Sequence, residues 1–513
     1  MMSDILDIGD RRQVFIDGRF LQVCRGIELV VHPPMKTGEL TIKPEHPWEA
    51  RIDGSCSVLK VGDLYHLWYR AVSKGGIAYA RSEDGIRWEK PMLGLAEVFD
   101  SKRNNIVLGY GAGGVKGGVQ TAIVFLDPNG PQGQQFRMVA FVGELGRGLH
   151  VFSSGDGIQW KLMHQCVVSD RNKKHLDTLN VILWDDRINE YVSYVRRNLC
   201  RDRVRSRTVA RGQSANLSSF PDVEDSSVVL GFDHLDPQNF DPAKNASIPV
   251  IDFYTSATIK YPWAEDAYYM FPTAYYHYRS EFLAEFKGEV PPPHPTLAYS
   301  SFNAGTVDVR FAASRDGIHW NRYDRRAFVP LGMKGSFDSK QNYMGHGLVP
   351  ALNEREMYMY YGGSDRPHGW GAQGRLERNN QLLTQAGLAP TEDISAISRL
   401  VFRRDGFISA RAAYTGGEFT TPVLRFNGNE LMLNVDTSAV GELRVEILDE
   451  LGAITLSGSA GYRLEDCDRI HTTNEINRVV TWQGKSDISE LAGKPIRLRF
   501  VMRDVDLYAF QFS

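Results

Sequence analysis

ARSEDGIRW (80–88) decides the fold, because the chain writes it again as FSSGDGIQW (152–160) and AASRDGIHW (312–320). Asp and Gly supply a tight turn: the glycine accepts positive φ, and the aspartate bonds nearby backbone N–H groups. Ile86 and Trp88, two residues apart, point to one face and are expected to fill space between neighbouring units. Asp84 and Asp156 stand 72 residues apart, and Asp156 and Asp316 stand 160 apart, about twice the first interval. A copy is therefore missing near the middle. TVARGQSANLSSF (208–220) occupies that place with Ser214 in register, and VFRRDGFIS (401–409) supplies a fifth copy at Asp405.

Each unit repeats one order of elements: an apolar run, a polar turn, an aromatic-rich run, a loop, and a third strand ending at the turn. In the first unit these are CSVLKVGDLYHLWYRA and GIAYARSEDGIRWEK. Short strands with turn signals and almost no helical periodicity predict an all-β protein, and units of this kind arranged radially predict a five-bladed β-propeller. From about residue 412 the style changes to alternating strands with NGN and GK turns and no further DGIxW. The expectation is a propeller over 46–411 followed by a C-terminal β-sandwich over 412–513, with residues 1–45 as a β extension bracing the propeller. RPHGWGAQGRLERNNQLLTQAGLAPTED (366–393) is the long irregular insertion, a length that is often functional.

Composition narrows the class. Hydrophobic residues make up 42%, charged residues 24%, and the net charge is −3. The densest basic stretch, RDRVRSRTVAR (201–211), alternates with apolar residues and reads as a strand with a solvated face, so neither nucleic acid nor membrane is an expected partner. Five scattered cysteines without CxxC argue for buried free thiols in a reducing compartment. The first residues show no basic-then-apolar leader, and the expected location is cytoplasmic.

In a propeller the residues leading into each innermost strand converge near the axis, so chemistry is sought there. The approaches offer His46, Trp48, Glu49, Arg51 and Asp53 before the first unit and His175, Asp177 and Asn180 before the third. Asp252 and Tyr254 precede the fourth unit, and Asp338, Asn342, Tyr343 and His346 the fifth. Four of five approaches thus carry a carboxylate. A single aspartate there would serve as a loop cap, but a set at equivalent positions suits a shared site, where neighbouring carboxylates separate into an acid and a base or nucleophile. Trp48, Trp263, Tyr275 and Tyr276 offer faces for sugar stacking. His46, His175 and His346 lack a metal-binding spacing, so no cofactor is expected, with a divalent cation held by them and an aspartate in the funnel as the less favoured alternative. GYGAGGVKGG (109–118) is not a phosphate-binding loop by spacing and reads as a flexible loop.

The turn S-x-D-G-x-x-W resembles the sialidase Asp-box with one residue fewer between Asp and Gly, a turn staple remote from chemistry. The whole layout, with GIAYARSEDGIRWEKP and FDSKQNY, resembles the furanosidase-like propeller glycoside hydrolases: invertases, levanases, arabinanases and β-xylosidases. The WMNDPNG block and the RDP and EC boxes of invertases are absent, and PWEARIDG is the nearest local match. The resemblance implies an exo-acting glycosidase with Asp53 or Glu49 as base or nucleophile. Asp177 or Asp252 would be the general acid, Asp338 would orient the sugar, and Arg51, Asn180, Tyr254 and His346 would bind hydroxyls. A glycan phosphorylase and a non-catalytic carbohydrate-binding propeller remain as alternatives, and an oligosaccharide or glycoside is the expected partner in each case.

Overall fold

The computed structural model describes residues 5–49, 52, 54–71, 75–171, 175–201, 204–241, 246–249, 251–277, 305–368, 395–453 and 461–513. Arg51, Asp53 and insertion residues 369–394 lie outside them. The described residues hold only strands and three short 3-10 turns, and no helix is long and apolar enough to cross a membrane.

Blade I pairs Cys56–Val61, Leu64–Arg70, Ile77–Ser82 and Ile106–Leu108 in order. Blade II pairs Val119–Leu126, Phe136–Val142, Gly148–Ser154 and Lys161–Ser169. Blade III pairs Val181–Asp185, Glu190–Arg201, Val204–Ser214 and Ser227–Leu230. In blade IV each strand is interrupted, so Ile251–Phe253 and Ile259–Lys260 share one course, opposite Tyr268–Met270 and Thr273–His277. Blade V runs from Gln341–Met344 through Glu356–Ser364 to Ser395–Arg403, and Met35–Lys36 from the start of the chain adds its outer strand.

The five units close on themselves. Ser57 Oγ bonds both backbone groups of Val124, joining I to II, and Thr121 Oγ1 donates to the Thr178 carbonyl, joining II to III. The Arg207 N–H donates to Asp252 between III and IV, and Val307 N–H donates to the Lys340 carbonyl between IV and V. His346 exchanges backbone bonds with Cys56 and Val58, returning V to I.

The repeated turn holds these blades together. Ser82 Oγ accepts the Gly85 N–H at 2.8 Å, and Asp84 Oδ1 accepts those of Ile86 and Arg87 at 2.7 and 2.8 Å. The pattern recurs at Ser154/Asp156 and Ser314/Asp316. Burial works against ionisation at all three carboxyls, but the turn N–H groups and serines, and at Asp316 first the His319 ring, outweigh it and hold them below the usual carboxylate range. Each turn's glycine carbonyl then accepts a bond from the preceding blade: Tyr360 hydroxyl to Gly85, Trp68 indole to Gly157, Tyr194 hydroxyl to Gly317. The tryptophans pack edge-on against these same aromatics, Trp88 on Tyr360 at 5.5 Å and Trp320 on Tyr194 at 6.0 Å. Two of the three isoleucines do not fill the gap as expected: Ile86 is 40% and Ile318 42% exposed, whereas Ile158 packs partly buried against the core of blades I and II. Replacing Asp84 with Ala is expected to cost about 1–2 kcal/mol in urea unfolding by orphaning two turn N–H groups, with turnover unchanged. A loss of turnover without a stability change would contradict a purely structural turn.

The two eroded copies differ in fate. In blade III, Asn216 takes the aspartate's place and its Oδ1 accepts the Ser218 N–H at 3.0 Å. Asp405 instead joins the propeller to the sandwich. It is fully buried, its Oδ2 accepts from Arg12 and Asn434, and its Oδ1 accepts from Tyr261 of blade IV.

Two sheets form the sandwich. One orders Leu6–Gly9, Leu424–Phe426, Ile496–Arg503, Gly417–Thr420 and Val23–Arg25; the other orders Asn474–Val479, Leu431–Asp436, Val505–Phe512, Ile408–Ala412 and Ile27–Val31. Ile496–Arg503 reads IRLRFVMR and alternates buried with half-buried along its length, as a strand with one face on the core does. The core between the sheets is aromatic, with Phe15, Phe20, Phe419, Phe426, Phe500, Phe510 and Phe512 fully enclosed. The structure thus distributes the first 45 residues differently from the sequence expectation. Residues 6–31 supply sandwich strands, only Met35–Lys36 and Ile42 pair with blade V, and the C-terminal share of the sandwich begins at Ile408. Of the thiols, Cys56 and Cys467 are buried as expected, while Cys24 and Cys166 are exposed.

Candidate functional site

The site is built on a hairpin that outruns its blade. The inner strand of blade III pairs only from Val181↔Tyr194 to Asp185↔Glu190, while its neighbours continue pairing up to Arg201↔Val204. Arg196 and Arg207 sit on this overhang, beside the first strand of blade IV. Within this stretch Val204–Ser214 is a strand, but its Arg207 and Arg211 are only 6% and 9% exposed, correcting the expected solvated face at those two residues. The strand lies inside blade III with Ile251–Phe253 of blade IV packed beside it, and this shields those side chains from most of the solvent.

Tyr254 is the centre of the constellation. The Arg196 and Arg207 guanidinium carbons lie 4.9 and 5.2 Å from its ring centroid, and Arg207 lies equally 5.2 Å from the Tyr275 ring. Arg207 Nη1 donates to Asp252 Oδ2 at 3.1 Å, and Arg196 Nη2 pairs with Asp177. Burial alone would lower the Arg207 pKa; Asp252, then Tyr254 and Tyr275, hold it above its ordinary value. Blade V closes the other side. The His368 ring stands 5.0 Å from that of Tyr254 and 4.8 Å from that of Tyr275, and its Nδ1 bonds the Tyr343 hydroxyl at 2.5 Å. That hydroxyl also reaches Gln341 Oε1 at 3.0 Å. Gln341 and Tyr343 share one face of their strand by the period of two, and Asn342 faces away, its amide donating to the Pro330 carbonyl.

Asp177, Asp252, Tyr254, Tyr275 and Tyr343 are therefore brought together, and the candidates that follow are placed elsewhere. Glu49 is 1% exposed and held by Tyr69 on one oxygen and by Lys90 and the Glu45 and His46 N–H groups. Trp48 donates to Asn105 in the same network, and His46 stacks on Trp48 at 4.4 Å. Asp338 turns toward the outer strand: Lys36, Ser336 and Tyr361 hold it, and they keep its carboxyl below the usual range although burial works against this. Asn180 staples its own loop to Leu176 and Thr178 and accepts the Arg196 N–H. The physical reason is common to these residues: a polar group leading into a buried strand must find partners, and its nearest ones are local.

His346 lies buried where blades V and I meet, and burial lowers its pKa to about 4 despite a bond to the Thr258 backbone; burial lowers His66 likewise to about 4. Both rings fold neutral, whereas an unfolded histidine takes a proton near 6.5. Their stabilisation is complete above pH 6.5 and is lost as the pH falls toward 4. Urea midpoints are expected to drop between about pH 7 and about pH 5, before most carboxylates titrate, and His346→Gln should flatten that drop. An unchanged slope in His346→Gln would remove His346 from the account.

One His–carboxylate group among the described residues has metal-like spacing: Asp170, His175 and Glu224, with ligand atoms within 4.8 Å of one another. His175 Nδ1 accepts the Asn198 N–H at 2.9 Å, which leaves the ring proton on Nε2, the atom facing Asp170 at 3.9 Å and Glu224 at 3.7 Å. A cation would need the lone pair that this proton occupies, so the group does not fit a metal.

Arg196, Arg207, Gln341 and His368 were not singled out by sequence. The alternation of arginines in 201–211 was the available signal, but which face is buried depends on the neighbouring blade.

No known family and no curated protein matches this chain. Among solved structures it is similar to a thermostable family-43 glycoside hydrolase, 14% identical over 71% of this chain and 95% of that one, with TM-score 0.43. An N-acetylgalactosamine deacetylase from F. plautii, in complex with blood group B trisaccharide, is 11% identical over 74% and 96%, with TM-score 0.44. A structure described under the GH130 family of mannoside phosphorylases, which contains glycoside hydrolases that target β-1,2 mannosidic linkages in Candida mannan, is 12% identical over 77% and 97%, with TM-score 0.42.

Proposed function

We propose that this chain is a carbohydrate-active enzyme, a glycoside hydrolase working at the Tyr254 constellation. The observation that carries the reading is that Asp177 and Asp252 each pair with an arginine that lies over the Tyr254 ring, beside the ring surfaces of Tyr343 and His368. Two carboxylates flanking a glycosidic bond are the minimum for its hydrolysis, and aromatic faces hold sugar rings through their C–H surfaces. Asp252, buried and paired with Arg207, suits the charged role of base or nucleophile. Asp177, exposed to water, suits proton exchange with the leaving group. The Tyr343–His368–Gln341 chain supplies hydroxyl partners. Asp53, whose blade-one position corresponds to the nucleophile or base of the furanosidase-like enzymes, is the further carboxylate of this proposal.

The buried arginines favour one second reading, phosphorolysis, in which phosphate replaces water as the nucleophile. The test is a panel of aryl glycosides and oligosaccharides assayed with and without phosphate, using wild type and Asp252→Asn. Hydrolysis that falls at least about 100-fold in the variant supports the first reading. Strict phosphate dependence replaces it with the second, and monosaccharide release from chain ends would mark the exo mode. Sugar binding without any turnover would make this a binding propeller.

A further inference from the structure

Arg196 is a buried cation, and one of its partners, Asp177, is in water. Its side chain is 4% exposed, and that of Asp177, which pairs with it, is 58% exposed. The neighbouring pair is different: Arg207 and Asp252 are 7% and 4% exposed and are enclosed together. A carboxylate that has kept its hydration loses little on leaving a guanidinium, whereas a buried partner cannot leave without exposing an uncompensated charge. A second anion can therefore take the place of Asp177 on Arg196 with the buried charge balance unchanged. The guanidinium suits that exchange, because its planar fork of N–H donors matches the oxygens of carboxylates and phosphates. The Tyr254 ring, 4.9 Å from the Arg196 guanidinium, helps to fix the orientation of the fork. The same half-buried tyrosine offers its remaining surface, with Tyr343 and His368, to the rest of the ligand.

We propose that Arg196 is an oxyanion subsite and that an anionic group of the reaction displaces Asp177 from it, so that the enzyme takes acidic rather than neutral glycans. The inference rests on the glycoside reading above. The oxyanion has two sources of shared chemistry, the carboxylate of a uronic acid and inorganic phosphate. On binding, Asp177 is released beside the bound sugar, where a carboxylate is needed for proton transfer.

The test is calorimetric titration of the full chain with glucuronate, galacturonate, glucose, galactose and inorganic phosphate, in wild type, Arg196→Gln and Asp177→Ala. Uronates are expected to bind at least about tenfold tighter than the neutral sugars, and Arg196→Gln should erase that preference. Asp177→Ala, a change at an exposed side chain that removes the competing carboxylate, should tighten uronate binding by about three- to tenfold and leave neutral sugars unchanged. A uronate preference that phosphate does not compete away assigns the anion to the sugar. Phosphate that binds at Arg196 and displaces uronate assigns it to a co-substrate. Equal affinities for uronate and neutral sugar overturn the proposal and leave the glycoside reading standing, as does weaker uronate binding in Asp177→Ala. Binding of none of the five ligands overturns both.

Discussion

Deleting residues 5–42 is expected to abolish folding of the propeller and the sandwich together, although the deleted stretch contains none of the residues around Tyr254. The segment supplies strands to both sandwich sheets and the outer strand of blade V. Its Phe15 and Phe20 are fully enclosed, with ring centroids 5.8 Å from Phe419 and 5.0 Å from Phe510. Each buried phenylalanine removed costs about 3–5 kcal/mol, against a total stability of about 5–15 kcal/mol for a typical protein, so these two alone consume most of the margin. The deletion also strips Asp405 of Arg12 and Asp338 of Lys36, leaving two buried carboxylates short of their counter-ions. Circular dichroism and limited proteolysis should report a chain without a cooperative melt. A truncated protein melting within about 1 °C of the full chain, a shift worth only about 1 kcal/mol for a chain of this length, would refute this account of the closure.

Arg207→Ala carries the largest effect expected of a single substitution. It leaves Asp252 buried without its guanidinium and removes the stack on Tyr254 and Tyr275. Breaking one side of a buried ion pair costs about 3–5 kcal/mol, mostly as the penalty of the stranded charge. The double variant Arg207→Met/Asp252→Leu removes both charges and should recover most of that stability, because a well-packed apolar pair replaces an ion pair at little net loss. Turnover should be absent in the double variant, since the carboxylate is gone. Stability and activity are thereby separated. Recovery of activity along with stability would show that Asp252 has no chemical role, and a cost below about 1 kcal/mol in Arg207→Ala would show that the pair is not shut away from water. The exposed pair Arg326–Asp324 provides the contrast, because solvent already screens it.

What could be read from the chain depended on how local each interaction is. The bonds that shape the box at Ser82, Asp84 and Gly85 all fall within residues 82–87, so its spacing alone reveals both the turn and the blade count. The erosion of the third copy was equally legible, because Asn216 keeps the acceptor geometry of the aspartate it replaces. Asp405 had the letters of the box but not its role, since its partners Arg12, Tyr261 and Asn434 come from three distant segments. The same distance effect separates the carboxylates. Asp177, Asp252 and Asp338 look alike as residues leading into inner strands, yet Lys36, some 300 positions away, draws Asp338 to the outer edge of its blade.

The sequence by itself therefore determined the repeating turn, the number of units, the all-β class and the approaches where polar residues gather. These follow from hydrogen bonds and side-chain alternation whose range is a few residues. Only the tertiary structure decided which strand closes blade V, which face of the arginine-rich hairpin is buried, and which carboxylates face arginines at Tyr254. Those outcomes depend on the compensation of buried charge, and a buried charge is satisfied by whatever the fold brings beside it, however far away in the chain that partner lies.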